Sequence, residues 1–140
     1  MNIVWLTGRR LSRDLASSTE MGLCRGLIGR GNEVHMISPD ERRIDAIPMH
    51  STIKQTRIRG LHTISNGLAM NNLISKNKGL FDWADVFLVD WRLVSFIWRT
   101  LEKNQADWWI IDRGPPAYTG LLAKIQSLQW SKAWKIAGVK

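Results

Sequence analysis

The sequence predicts an α/β chain: a doubly wound, mostly parallel sheet with helices on both faces. Three observations carry that prediction. Short β-branched and apolar runs recur at Asn2–Thr7, Glu33–Ser38, Asp85–Asp90 and Trp108–Asp112. Stretches with helical spacing separate them, and strands alternating with helices favour parallel pairing. Residues 1–38 run strand, polar loop, helix, tight turn and strand, the unit that opens such a domain. The 140 residues make a single domain, 1–140. A chain of that size buries roughly 68–70% of its unfolded surface and folds without a disulfide or a metal.

Each element has a local reason. Asn2-Ile3-Val4-Trp5-Leu6-Thr7 is too short for a helix and reads as a buried strand. A basic loop follows, and Ser17-Ser18-Thr19-Glu20 has the spacing of a capping box, which predicts a helix starting at Ser17. Met21, Cys24, Leu27 and Ile28 form its apolar face, and Gly31 suits the left-handed residue that ends it. Gly22, Gly26 and Gly29 are expected to let this helix approach the sheet closely. Thr52–Arg59 alternates weakly and is polar, which predicts an edge strand. Leu61–Lys78 reads as one helix with Leu61, Ile64, Leu68 and Leu73 as its apolar members. Leu93–Lys103 carries Val94, Ile97, Trp98 and Leu101 on one stripe. Pro115-Pro116 opens a last helix, with Tyr118, Leu121, Leu122, Ile125, Leu128, Trp130, Ala133, Trp134 and Ala137 inward and Gly138 at its end.

Lys plus Arg number 20 against 12 acids, a formal charge of +8, and eight tryptophans are present. The charge favours an anionic partner, and most of the tryptophans are expected in or near the core. Nucleic acid is the least favoured anion, because the basic residues are spread along the chain without a recognisable binding motif. The lone cysteine, Cys24, allows no intrachain disulfide, reads as core and fits a reducing compartment. The apolar run Ile3–Leu6 is far below the length of a membrane span, so the expected location is cytoplasmic. The basic, aromatic stretch Trp130-Lys132-Trp134-Lys135-Lys140 suits either packing or peripheral contact with an anionic membrane. His35, His50 and His62 lack metal-ligand spacing, so no metal site is expected.

Ligands of open parallel sheets bind beyond the carboxyl ends of the strands. Three loops leave those ends: Gly8–Ser18, Asp90–Arg92 and Asp112–Pro116. The first places Gly8, Arg9, Arg10, Ser12 and Arg13 ahead of a helix, where backbone N–H groups and guanidinium forks suit phosphate or carboxylate. It is neither a Walker A loop nor the dinucleotide fingerprint G-x-G-x-x-G. Asp90-Trp91-Arg92 and Asp112-Arg113-Gly114 repeat an acid at a strand end followed by a cation. Such acids bind sugar hydroxyls, serve as a base, or tie neighbouring loops together as ion pairs.

The opening resembles the N-terminal domain of GT-B-fold glycosyltransferases, particularly the family 4-like group that uses nucleotide sugars. The resemblance lies in Asn2–Thr7, Ser18-Thr19-Glu20-Met21 and Leu27-Ile28-Gly29-Arg30-Gly31-Asn32-Glu33-Val34-His35-Met36-Ile37-Ser38-Pro39. Asp112-Arg113-Gly114-Pro115-Pro116-Ala117 is similar to that family's later strand and proline-led helix. Two departures stand out: Asn32 where histidine is common, and arginines after Gly8 where the family loop is glycine-rich. The Glu33–Glu41 spacing occurs in a transferase signature of the second domain, and here it is treated as chance.

The resemblance implies a Rossmann-like, acceptor-side half of an enzyme that moves a sugar from a nucleotide-sugar donor. Gly8, Arg9, Arg10, Ser12 and Arg13 would meet the donor phosphate or an anionic acceptor. Asp90, Arg92, Asp112 and Arg113 would line the acceptor side. The catalytic residue is not assigned, no tightly bound cofactor is expected, and the nucleotide sugar is a substrate. The donor-binding C-terminal domain is expected to lie outside these 140 residues, so activity would need that domain or a partner subunit. The chain alone is expected to be inactive. The alternative is a non-catalytic nucleotide- or anion-binding α/β module.

Overall fold

The computed structural model describes residues 1–11, 15–39, 54–58, 63–112 and 136–138. The elements are β1 (Asn2–Leu6), α1 (Leu15–Gly29), β2 (Glu33–Pro39), β3 (Lys54–Ile58), α2 (Thr63–Lys76), α3 (Lys78–Trp83), β4 (Val86–Asp90), α4 (Val94–Lys103), β5 (Trp108–Asp112) and β6 (Ile136–Gly138). A 3-10 turn, Trp91–Leu93, leads from β4 into α4. The sheet has the order β3-β2-β1-β4-β5-β6, and every neighbouring pair is parallel. This is the α/β doubly wound arrangement that the alternation of elements predicts, with β3 at the expected edge.

Strand alternation divides the core into two layers. Val4, Leu6, Phe87, Val89, Trp108 and Ile110 face one side, against Met70 and Ile74 of α2 and Val94, Ile97 and Leu101 of α4. Ile3, Trp5, Val34, Met36 and Ile111 face the other, against Met21 and Cys24 of α1. Cys24 is thus core, as its spacing predicts. His35 is buried in β2, with Nε2 2.8 Å from Thr56 Oγ1 and its ring at 75° to that of Trp83, 6.1 Å away. The two faces are unequally covered. Phe87 and Val89 are buried, whereas Val86 and Leu88, on the α1 side of the same strand, are only partly so.

The C-terminus of α1 explains the Gly31-Asn32 pair. Asn32 N–H donates to the Leu27 carbonyl at 3.2 Å and Gly31 N–H to the Ile28 carbonyl at 2.9 Å, the two bonds of a Schellman motif. Gly31 takes a φ of 79°, where a Cβ is strained. The Asn32 side chain adds a third bond, Nδ2 to the Leu27 carbonyl at 2.8 Å. Asparagine therefore closes the turn through its own amide.

Several local expectations are corrected. Helix α1 starts at Leu15, so Ser17–Glu20 lie inside it, and Glu20 is a buried carboxylate rather than a capping one. Gly22 and Gly26 are exposed, and a Cβ built at Gly22, Gly26 or Gly29 meets nothing within 4 Å. They do not bring the helix close to the sheet. The stretch expected as one long helix is two, with Asn77 capping α3 by accepting from Leu80 N–H at 3.2 Å. In α2, Ile64 and Leu68 are exposed at 58% each, and the inward stripe is Asn66, Met70 and Ile74. Gly67 fixes that register, because a Cβ there would come under 3.0 Å from the Phe96 ring of α4. Ile136–Gly138 is a strand paired with Ile110–Asp112, not the tail of a helix. The rest of the expected last helix, Pro115–Lys135 with Trp130 and Trp134, lies outside the described residues.

Gly31→Ala places a side chain in the left-handed region and is expected to destabilise the chain by about 1 kcal/mol. Urea denaturation of the two proteins checks this, and Asn32→Ala adds a separate loss through the missing amide bond.

Candidate functional site

The order β3-β2-β1-β4-β5-β6 reverses winding direction between β1 and β4, which creates a crevice at their carboxyl ends. The residues leaving those two strands meet there. Thr7 N–H continues the sheet by donating to the Ile37 carbonyl at 3.0 Å, and Thr7 Oγ1 accepts from Arg9 N–H at 3.2 Å. The chain thus turns sharply at Gly8. Asp90 receives that turn: its Oδ2 accepts from Gly8 N–H at 3.3 Å and its Oδ1 from Arg92 N–H at 3.1 Å. A Cβ on Gly8 would come 3.2 Å from the Leu93 side chain and 3.5 Å from Asp90 Oδ2, so the turn packs closely against both. From α2, Asn66 Nδ2 donates to the Gly8 carbonyl at 3.4 Å.

These bonds surround a cleft lined by Arg9 from the first loop, Asp90, Trp91 and Arg92 from the second, and Trp5, Glu20 and Ile111 below. Its volume, about 40 Å³, holds a water or one functional group rather than a whole sugar ring. Arg92 Nη1 lies 3.9 Å from Asp90 Oδ2, and its guanidinium sits 5.4 Å from the centre of the Trp91 ring. With Arg92 over a third exposed, that ion pair adds little stability. The two backbone N–H bonds are what make Asp90 a tie between the loops. Asp90 and Arg92 therefore pair within their own turn, and Arg9 and Arg92 both line the cleft.

The floor is a buried polar contact. Trp5 Nε1 donates to Glu20 Oε1 at 2.9 Å, and the two residues are 2% and 4% exposed. A carboxylate this deep costs several kcal/mol unless donors surround it. The indole is one donor, and Glu20 has further partners.

Of the residues expected at the site, Gly8, Arg9, Asp90 and Arg92 come together. Arg10 follows Arg9 but does not line the cleft. Asp112 ends β5 at the same edge, two strands from β1. Ser12, Arg13 and Arg113 lie outside the described residues. Trp5, Glu20 and Trp91 are cleft residues that sequence reasoning did not select. The signal was present for Glu20, but its spacing from Ser17 imitated a helix cap. Among the described residues no cluster of His, Cys, Asp or Glu could hold a metal, and no helix is long and apolar enough to cross a membrane.

A second, larger hollow adjoins the cleft on the α1 side of the sheet. It measures about 360 Å³ and shares Trp5 and Ile111 with the cleft.

No protein-family model matches the chain, and no curated protein sequence matches it significantly. Solved structures do match its fold. A UGT transferase from Siraitia grosvenorii in complex with UDP aligns with 93% of the chain at a TM-score of 0.57 and 12% identity. The apo UGT2 of Phytolacca americana aligns with 94% at 0.57 and 9% identity. A short-chain dehydrogenase/reductase from Burkholderia vietnamiensis aligns with 98% at 0.57 and 12% identity. The chain spans 32% and 33% of the two transferases and 83% of the reductase. At these identities the likeness is one of fold.

Trp5→Phe keeps the ring and removes the indole donor from Glu20. It is expected to cost about 1–3 kcal/mol. In a thermodynamic double-mutant cycle with Glu20→Leu, the pair is expected to show a favourable coupling of about 1 kcal/mol.

Proposed function

We propose that this chain is the acceptor-side half of a glycosyltransferase that draws on a nucleotide-sugar donor and acts with a second domain. The observation that carries the reading is the meeting of Gly8 and Arg9 with Asp90, Trp91 and Arg92 at the carboxyl ends of β1 and β4. Two cations face a cleft floored by a buried carboxylate, at the edge where parallel sheets bind ligands. The fold likeness to a UGT transferase holding UDP supports the reading, as does the small cleft, which suits one wall of a site completed elsewhere.

In this account Arg9, followed by Arg10, Ser12 and Arg13, offers donors to the diphosphate of the donor or to an anionic acceptor. A guanidinium matches two phosphate oxygens at once, and Gly8 lets the backbone come close. Asp90 holds the loop that carries Arg9 and keeps lone pairs for an acceptor hydroxyl. Arg92 sits on the acceptor side, with Asp112 and Arg113 beyond it on β5. The partner domain supplies the base and sugar recognition that this cleft has no room for.

The module reading has one observation in its favour: the reductase match, in which a chain of nearly this fold span makes most of a protein. The β1 loop weighs against a dinucleotide ligand, because G-x-G-x-x-G is absent from Gly8–Arg13.

Titration calorimetry of the chain with UDP separates the two. A half-site is expected to bind with a Kd on the order of 0.1–1 mM. Arg9→Ala with Arg10→Ala is expected to weaken it about tenfold, through lost charge-assisted bonds. Micromolar binding by the chain alone favours the module. Binding unchanged by the double substitution removes the role of the arginines.

A further inference from the structure

The hollow beside the cleft has a composition unlike it. Its floor is the Trp5 ring with Leu88 and Ile111, and its wall is the Gly22–Gly26 flank of α1. Among the described residues Arg30 is its single charged member, at the far end of the helix. From Gly22 to Arg30 the helix rises roughly 12 Å. Trp5 and Ile111 line both spaces, so the apolar groove and the polar cleft are immediate neighbours.

The exposed glycines now have a role. With nothing within 4 Å of a Cβ at Gly22 or Gly26, the absent side chains leave the wall of the groove open. Glycine costs a helix about 1 kcal/mol relative to alanine at each position. Leu88, partly exposed on the α1 side of β4, borders the same space from below.

We propose that this groove holds the apolar chain of an amphiphilic acceptor, a single alkyl or isoprenoid chain, whose phosphate or hydroxyl head lies in the cleft. The head-group half rests on the transferase reading; the chain half does not. Three features favour such a ligand over a protein helix. A volume of about 360 Å³ falls within the range of small-molecule sites. The groove lies directly beside the cleft, with Trp5 and Ile111 common to both. Arg9 and Arg92 line the neighbouring cleft, where a head group would lie, and Arg30 lines the groove, where its methylenes can cover apolar surface while the charge stays in water.

The test compares decyl phosphate, kept below its micelle concentration, with ethyl phosphate on the full chain by calorimetry. Decyl phosphate is expected to bind at least about tenfold more tightly. Gly26→Leu fills the groove and raises helix propensity, so folding is retained, as its thermal transition will verify. In that variant the tenfold ratio is expected to fall to about twofold. Equal affinities in the native chain overturn the proposal, as does a ratio that Gly26→Leu leaves intact. A native chain that ignores the decyl tail and sediments as a dimer, separated by Gly26→Leu, assigns the groove to a protein surface and also overturns it. A tail effect sensitive to Gly26→Leu but not to Arg9→Ala supports the groove and removes the head group from the cleft, which tells against the transferase reading alone.

Discussion

The crossovers on either side of β1 leave by opposite faces of the sheet, and the rest of the molecule is arranged around that reversal. Helix α1 carries the chain from β1 to β2 on the Trp5 side, while α2 and α3 carry it from β3 to β4 on the Val4 side. No crossover can lie over the carboxyl ends of β1 and β4. The Gly8 turn and the Asp90 turn fill that gap and are bonded to each other through one carboxylate. The site is a by-product of topology, and its chemistry is set by which side chains the two turns carry.

Glu20 links that topology to the proposed chemistry. A carboxylate 4% exposed is an expensive feature in an apolar layer of Trp5, Met21 and Ile111. Its indole partner holds it at the base of the cleft that Arg9 and Arg92 also line. The tryptophans divide by the same logic. Trp108, buried in β5, donates its N–H to Glu102 Oε1 at 3.0 Å and packs in the opposite layer. Trp5 packs as well, but its ring also forms the boundary between a polar cleft and an apolar groove.

What was legible in the sequence follows from what each signal measures. The runs Ile3–Leu6, Phe87–Val89 and Trp108–Ile111 read as strands because a strand covered on both faces must be apolar throughout. Gly31 was legible because only a positive φ closes that turn cheaply. The convergence of Gly8, Arg9, Asp90 and Arg92 followed from strand ends alone. The failures share a cause: each depends on a neighbour distant in sequence. The register of α2 is chosen by Phe96 against Gly67, so Ile64 and Leu68 point outward although their spacing suits a core. Ser17 and Glu20 have the right separation for a cap, but the helix starts earlier and Trp5 claims the carboxylate. Ile136-Ala137-Gly138 gains its strand character from the free edge of β5, which no local pattern reveals.

The central claim is that an anionic ligand meets this chain at the joined turns after β1 and β4. An amide NMR titration with UDP tests it most directly. The account predicts that the backbone signals of Gly8, Arg9 and Arg92 and the indole N–H of Trp5 shift together and saturate on one curve. Shifts confined to the opposite edge, around Gly31, Asn32 and Asp85, with the Trp5 indole unmoved, would contradict it.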